Sequence, residues 1–179
     1  MGKMILVLEG SPRKGGNSDL LSDEFIRGAT EAGHDVEKVY LQKRNIHYCV
    51  DCEVCQTESD GCVHIDDFGQ VCRQLIACDV VVFASPVYYY SVTAQMKTFM
   101  DRTYSALTKI SDKECYFIAT GAGDQEKYYQ TIIDTYHGFI GCFPNMEDKG
   151  IVLGMGVQKK GEIQGNAAML KAYEMGKNV

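Results

Sequence analysis

The sequence of 179 residues predicts an α/β fold, a parallel sheet covered by helices on both faces. Three observations carry this. Continuous apolar runs at Ile5-Leu6-Val7-Leu8 and Val80-Val81-Val82-Phe83-Ala84 suit strands buried on both faces. Between such runs the apolar residues recur at helical spacing. The two patterns alternate to the end of the chain, as in βα units rather than hairpins. The length suits one domain, 1–179, able to bury a sizeable core.

Each element follows in order. The first strand runs into Gly10-Ser11-Pro12-Arg13-Lys14-Gly15-Gly16-Asn17-Ser18, a loop of small residues, two cations and cap formers. Leu20, Leu21, Phe25, Ile26 and Ala29 then mark a helix that Asn17 or Ser18 can cap and Gly33 stops. Val36, Val39 and Leu41 predict the second strand. Arg44 to Gly61 reads as irregular and forms, with Cys62, a cysteine-rich loop at 44–62. Asp66 can cap a helix whose face is Phe68, Val71, Cys72, Leu75 and Ile76. After the third strand, Val80–Ala84, comes the loop Ser85–Tyr90, and Thr93 opens a helix with Met96, Phe99 and Met100 inward. Glu114–Thr120 predicts the fourth strand, ending in the loop Gly121-Ala122-Gly123-Asp124. A helix over Gln125–Phe139, a strand at Gly150–Leu153 and a helix over Asn166–Met175 complete the chain.

Composition excludes several classes. Net charge is −6, which argues against nucleic acid or an anionic membrane as partner. No apolar run approaches the ~20 residues of a membrane span. The chain enters its first strand without a signal peptide, so a cytoplasmic location is expected. There, eight cysteines read as thiols, ligands or redox groups rather than structural disulfides. Cys72, Cys78, Cys115 and Cys142 read as buried small hydrophobes.

In a doubly wound sheet, ligands bind beyond the carboxyl ends of the strands. Three loops lie there. Ser11–Ser18 precedes a helix, whose first N–H groups and dipole favour a phosphate. Neither G-x-G-x-x-G nor G-x-x-x-x-G-K-[ST] is present, so the dinucleotide and Walker readings fail. The hydroxyls of Ser11 and Ser18, the Asn17 amide and the Arg13 charge suit a terminal phosphomonoester; an ordinary strand-to-helix turn is the plainer alternative. Ser85–Tyr90 offers aromatic surface, although Tyr88, Tyr89 and Tyr90 could simply pack. Gly121–Asp124 offers glycine backbone that a flat ring can approach. Together the three walls fit a flavin mononucleotide. His34, His47, His64 and His137 are scattered, and no catalytic side chain is expected.

GSPRKGGNS after the first strand, SPVY after the third, and Gln95-Met96-Lys97-Thr98-Phe99-Met100-Asp101-Arg102 resemble the NADPH-dependent FMN reductase family. With a cysteine-rich loop between the motifs, the chain is most similar to the iron–sulfur flavoprotein branch. The resemblance runs from about Met4 to Thr120 and is weak from Gly138 onward. It implies a flavodoxin-like five-stranded parallel sheet of order 2-1-3-4-5, FMN bound non-covalently, NAD(P)H as electron donor, and a homodimer or homotetramer. Ser11, Arg13, Asn17 and Ser18 would hold the phosphate. Pro86, Val87, Tyr88 and Tyr89 would flank the ribityl chain and ring, and Thr120, Gly121 and Gly123 the far edge. Electrons would pass to a small acceptor such as a quinone, free flavin or nitroaromatic. A flavodoxin-like electron carrier that reacts poorly with nicotinamide is the alternative.

Cys49-x2-Cys52-x2-Cys55-x6-Cys62 is the second informative motif. Three thiols two residues apart can wrap a [4Fe–4S] cluster, as in bacterial ferredoxin runs. The fourth ligand is local, as in the branch. Zinc and free thiols are the other readings. Asp51 stands where the branch commonly has glycine, a departure that adds a charge beside the ligands.

Overall fold

Five strands form one parallel sheet in the order β2-β1-β3-β4-β5: β1 Met4–Glu9, β2 Asp35–Tyr40, β3 Val80–Pro86, β4 Lys113–Thr120 and β5 Met146–Gly154. This is the flavodoxin-like arrangement. The computed structural model describes residues 2–58 and 61–179. Ser59 and Asp60, part of the cysteine-rich loop, lie outside the described residues. Among the described residues no helix is long and apolar enough to cross a membrane.

The period-2 alternation of side chains splits the core in two. Leu6, Leu8, Val81, Phe83, Phe117 and Ala119 face α3 (Phe68–Ala77), α4 (Ala94–Arg102) and α5 (Gln130–Ile140). Ile5, Val7, Val82, Ala84, Tyr116 and Ile118 face α1 (Asn17–Glu31) and α6 (Ala167–Lys177). The register sets Leu8 beside Phe83, Phe83 beside Phe117 and Phe117 beside Ile151. On the first face Tyr136 stacks on Phe117 with ring centroids 4.8 Å apart. On the second, α1 and α6 touch backbone to backbone through Gly28 and Gly176.

Five expectations need correction. The cap of α1 is Gly16, with no side-chain cap bond, because the Asn17 side chain reaches across to residues 159–163 and Ser18 turns down to Glu9. The fifth strand starts at Met146, not Gly150; a register shift opposite Cys115/Tyr116 admits the charged run Glu147-Asp148-Lys149 on this edge strand. A 3₁₀ turn at Glu126–Tyr128 delays α5 to Gln130. Cys142 is exposed just beyond α5, its thiol bonded to the Gly138 carbonyl at 3.2 Å, whereas Cys72, Cys78 and Cys115 are buried as expected. Burial pushes those three thiols up to about 11, 11 and 12. Within the cysteine loop a short helix, α2 (Val54–Thr57), replaces part of the irregular stretch.

Candidate functional site

The site is built on a buried carboxylate. Glu9 ends β1, fully enclosed, where the strand gives way to the loop 10–16. Its Oε1 accepts the Ser11 N–H at 2.8 Å and the Ser18 hydroxyl at 2.9 Å; its Oε2 accepts the Ser22 hydroxyl at 3.1 Å. A second acid, Asp19, accepts the Gly15 N–H at 2.6 Å and pairs with Lys38. Gly15 adopts φ +70, which an L side chain resists. The loop is thus fastened from beneath at both ends. The hydroxyl proton of Ser18 is engaged within the fold. At the mouth of the cleft, the first N–H groups of α1 have no intrahelical acceptor.

Burial, outweighing these donors and the Lys38 charge, raises the Glu9 carboxyl from 4.5 to about 7. Between those values the native state binds more protons than the unfolded one, so stability falls as pH rises from about 4.5 to 7 and is level above. The expected loss is at most about 3 kcal/mol. Urea unfolding at pH 5 and pH 8 measures it. Glu9→Gln should flatten the profile; an equally steep profile in the variant assigns the titration to another group.

The three loops expected to form walls meet above the sheet. Ser11, Arg13, Asn17, Ser18, Pro86, Val87, Tyr88, Thr120 and Gly121 line one cleft of about 280 Å³. Tyr89 and Gly123 line the adjoining depression, which shares Val87 and Gly121 with it. The loops are tied together: Thr93 Oγ1 donates to the Gly10 carbonyl at 2.7 Å, and the Val87 N–H to the Thr120 carbonyl at 2.7 Å. The Tyr129 hydroxyl lies 2.9 Å from the carbonyls of both Gly121 and Gly123.

A fourth wall escaped the sequence reading. Val157, Gln158 and Lys160, on the loop after β5, also line the cleft. Asn17 places that loop: its Nδ2 donates to the Lys159 carbonyl at 3.0 Å, and its Oδ1 accepts the Gly161 N–H at 3.0 Å and the Ile163 N–H at 3.3 Å. Asn17 therefore acts as a clip between two walls. The one signal in the sequence was the polar, glycine-containing Gln158-Lys159-Lys160-Gly161 directly after a strand.

Tyr88 and Ser91 exchange backbone hydrogen bonds across a two-residue turn. Its centre, Tyr89 and Tyr90, sits at φ 48 and 65, where bulky residues are strained. Tyr89 is 101% exposed and Tyr90 58%, so core packing does not hold the strain. The turn projects phenol rings beside the cleft.

The four cysteines of the loop line a second, smaller pocket against the end of α4. Asp51 takes φ 52, a left-handed backbone conformation that favours glycine, and its N–H points to Cys49 Sγ at 3.5 Å. Gln56 Nε2 lies 3.6 Å from Cys55 Sγ. Among the described residues no three His, Cys, Asp or Glu side chains converge on a single-ion site. A larger cleft of about 530 Å³ adjoins Cys49 between α4 and α5; Met100, Leu107, Phe139 and Phe143 make it apolar, without the loop donors of the first.

The family model described as NADPH-dependent FMN reductase matches residues 4–130. A protein of Archaeoglobus fulgidus named iron-sulfur flavoprotein is 44% identical over 93 residues, 52% of this chain but only 42% of that protein. A Bacillus subtilis protein named for NAD(P)H-dependent, FMN-containing oxidoreductase activity is 31% identical over 162 residues, 85% of this chain and 84% of its own. A solved NAD(P)H:quinone oxidoreductase from Methanothermobacter marburgensis shares the fold, with TM-score 0.77 at 17% identity over 99% of this chain and 96% of that one.

Proposed function

The chain belongs to the NADPH-dependent FMN reductase family of enzymes, and from that premise we propose that it oxidises NAD(P)H through bound FMN and delivers the electrons to a small flat acceptor. The observation that carries this is the convergence of a phosphate-type loop, a tyrosine turn and a glycine loop on one cleft at the strand ends. FMN, when bound, supplies hydride and electron transfer. The protein's part is binding and orientation. Arg13, Lys160 and the free N–H groups at the start of α1 suit the phosphate. Ser11 and Ser18 shape its loop through Glu9, and Asn17 brings Lys160 to it. Pro86, Val87, Tyr88 and Tyr89 flank the ribityl chain and ring, with Thr120, Gly121 and Gly123 at the far edge. A homodimer or homotetramer would complete the open side of the cleft.

The cysteine loop is proposed to hold a [4Fe–4S] cluster on Cys49, Cys52, Cys55 and Cys62. Four thiols lining one pocket supply the donor set that a [4Fe–4S] cluster takes. The N–H groups of Asp51 and Gln56 already face two of the sulfurs. Such a cluster would connect two-electron hydride chemistry to one-electron acceptors.

Steady-state oxidation of NADH and NADPH with a quinone or free flavin tests the activity, and parallel double-reciprocal lines, the signature of ping-pong turnover, are expected. Bound flavin that neither nicotinamide reduces, yet that takes electrons from a reductase partner, would instead establish an electron carrier.

A further inference from the structure

We propose that Arg102 and His64 are the hydrogen-bond donors to the sulfurs of the centre on the four-cysteine loop, and that Arg102 sets its reduction potential. This rests on the cluster reading above and adds residues that the cysteine motif does not contain.

Arg102 is the last residue of α4, and its side chain is 1% exposed. Asp66 holds it bidentately, Nη1 to Oδ2 at 2.8 Å and Nη2 to Oδ1 at 3.2 Å. Nη1 also donates to the His47 carbonyl at 2.7 Å. Phe68 lies beneath, its ring centroid 4.6 Å from the guanidinium carbon. Asp66 is fixed in turn by the N–H groups of His47 and Phe68, at 3.0 and 3.1 Å. The guanidinium cannot swing away.

One donor remains. Arg102 Nε is buried and has no hydrogen-bond partner, and so is His64 Nε2. Both residues line the pocket of the four cysteines. Two orphaned buried nitrogens on one wall are costly unless something in the pocket accepts from them. Four sulfurs line this pocket, alongside the carboxylates of Asp51, Glu53 and Asp101. The Cys62 sulfur already lies close enough to Arg102 to favour its charge, although burial opposes that charge. His64 is held by stacking on His47, with centroids 5.7 Å apart. In the tautomer protonated at Nε2 it is a second unpartnered donor among the residues that line this pocket.

The energetic consequence has a definite sign. Four thiolates carry negative charge, and reduction adds another unit. A fixed cation and two N–H donors stabilise the reduced state more than the oxidised one, so they raise the potential. Asp66 offsets part of that charge, but it pairs through Nη1 and Nη2 and leaves Nε free to donate. The family's cysteines thus set what is bound, and this buried pair sets when it is reduced.

The full-length protein, reconstituted anaerobically with iron and sulfide, provides the test. Arg102→Lys keeps the charge and an Asp66 partner but loses Nε. Arg102→Gln with Asp66→Asn removes both charges as a matched pair. Potentiometric titration followed by electron paramagnetic resonance reads the centre itself, independent of turnover. Iron content equal to the wild type is expected, with the double variant at least tenfold less reduced at a fixed potential, about 59 mV for a one-electron couple. Arg102→Lys should shift in the same direction by less. His64→Phe keeps the ring against His47 and removes the donor; it makes the same comparison should the Arg102 variants not fold. Unchanged potentials at wild-type iron content would overturn the inference. Iron lost while FMN and the circular dichroism spectrum are retained would make Arg102 a scaffold of the loop, which also overturns it. Background iron in the wild type is a different failure: it removes the cluster reading, and this inference with it.

Discussion

Serine in place of Cys49, Cys52, Cys55 and Cys62 is expected to abolish iron and inorganic sulfide in anaerobically reconstituted protein while leaving FMN bound at full stoichiometry. The wild type should carry about four of each per chain, as a [4Fe–4S] cluster supplies. Serine is nearly isosteric with cysteine but is a poor ligand to iron at neutral pH, because its hydroxyl stays protonated. The cysteines line a pocket at the end of α4, and their segment is held there by Gln56, which donates to the Tyr104 carbonyl at 3.0 Å, and by the Asp66–Arg102 pair, whereas Ser11, Arg13 and Asn17 line a different cleft. Flavin retention is therefore the discriminating half of the result. Loss of both groups would make the cysteine loop part of the flavin pocket. Stoichiometric zinc in the wild type would replace the cluster with a structural site.

The second large effect lies far from any ligand. Gly176→Ala and Gly28→Ala should each destabilise the protein. A Cβ on Gly176 would stand 2.0 Å from the Phe25 carbonyl oxygen, and one on Gly28 2.1 Å from the Tyr173 carbonyl oxygen. Both obstacles are helix backbone and cannot rotate aside. Intrinsic helix propensity favours alanine by about 1 kcal/mol. Overpacking a tight contact costs about 1–3 kcal/mol or more, so the clash wins. The two substitutions share one interface, and their effects should not add. Gly138, exposed in α5 with nothing within 4 Å of a built Cβ, is the control: Gly138→Ala should stabilise by up to about 1 kcal/mol. Urea denaturation of the three variants decides the matter. Equal stability of Gly176→Ala and Gly138→Ala would mean that α1 and α6 can move apart freely.

Much of this molecule was legible in its residues. Continuous apolar runs announced β1 and β3, since strands buried on both faces must be apolar throughout. The 3.6-residue period announced α1, α3 and α4. The loops that follow such strands must lie at one end of a parallel sheet, which is why nine of the candidate residues fell in one cleft without any contact being known. Edge elements were read less well. Only the inner half of β5 is apolar; its outer half is a charged run that guards an open edge, and charge carries no period that separates strand from loop.

What a side chain does once it reaches the site was not legible. Asn17 and Ser18 have the right chemistry for a phosphate, but protein partners engage their side chains: residues 159–163, at the other end of the chain, for Asn17, and Glu9, nine positions back beneath the loop, for Ser18. The same holds for Lys160, which becomes a wall only when α6 and the loop before it fold back over α1. Arg102 reads in sequence as a charge at the end of a helix, yet it is buried against Asp66, has one unpartnered nitrogen and lines the pocket of the four cysteines. Local pattern determines which segments are strand, helix and loop, because period and capping act over a few residues. Hydrogen-bond partnership across 36 to 146 positions is decided by how those segments pack, and only the tertiary structure contains it.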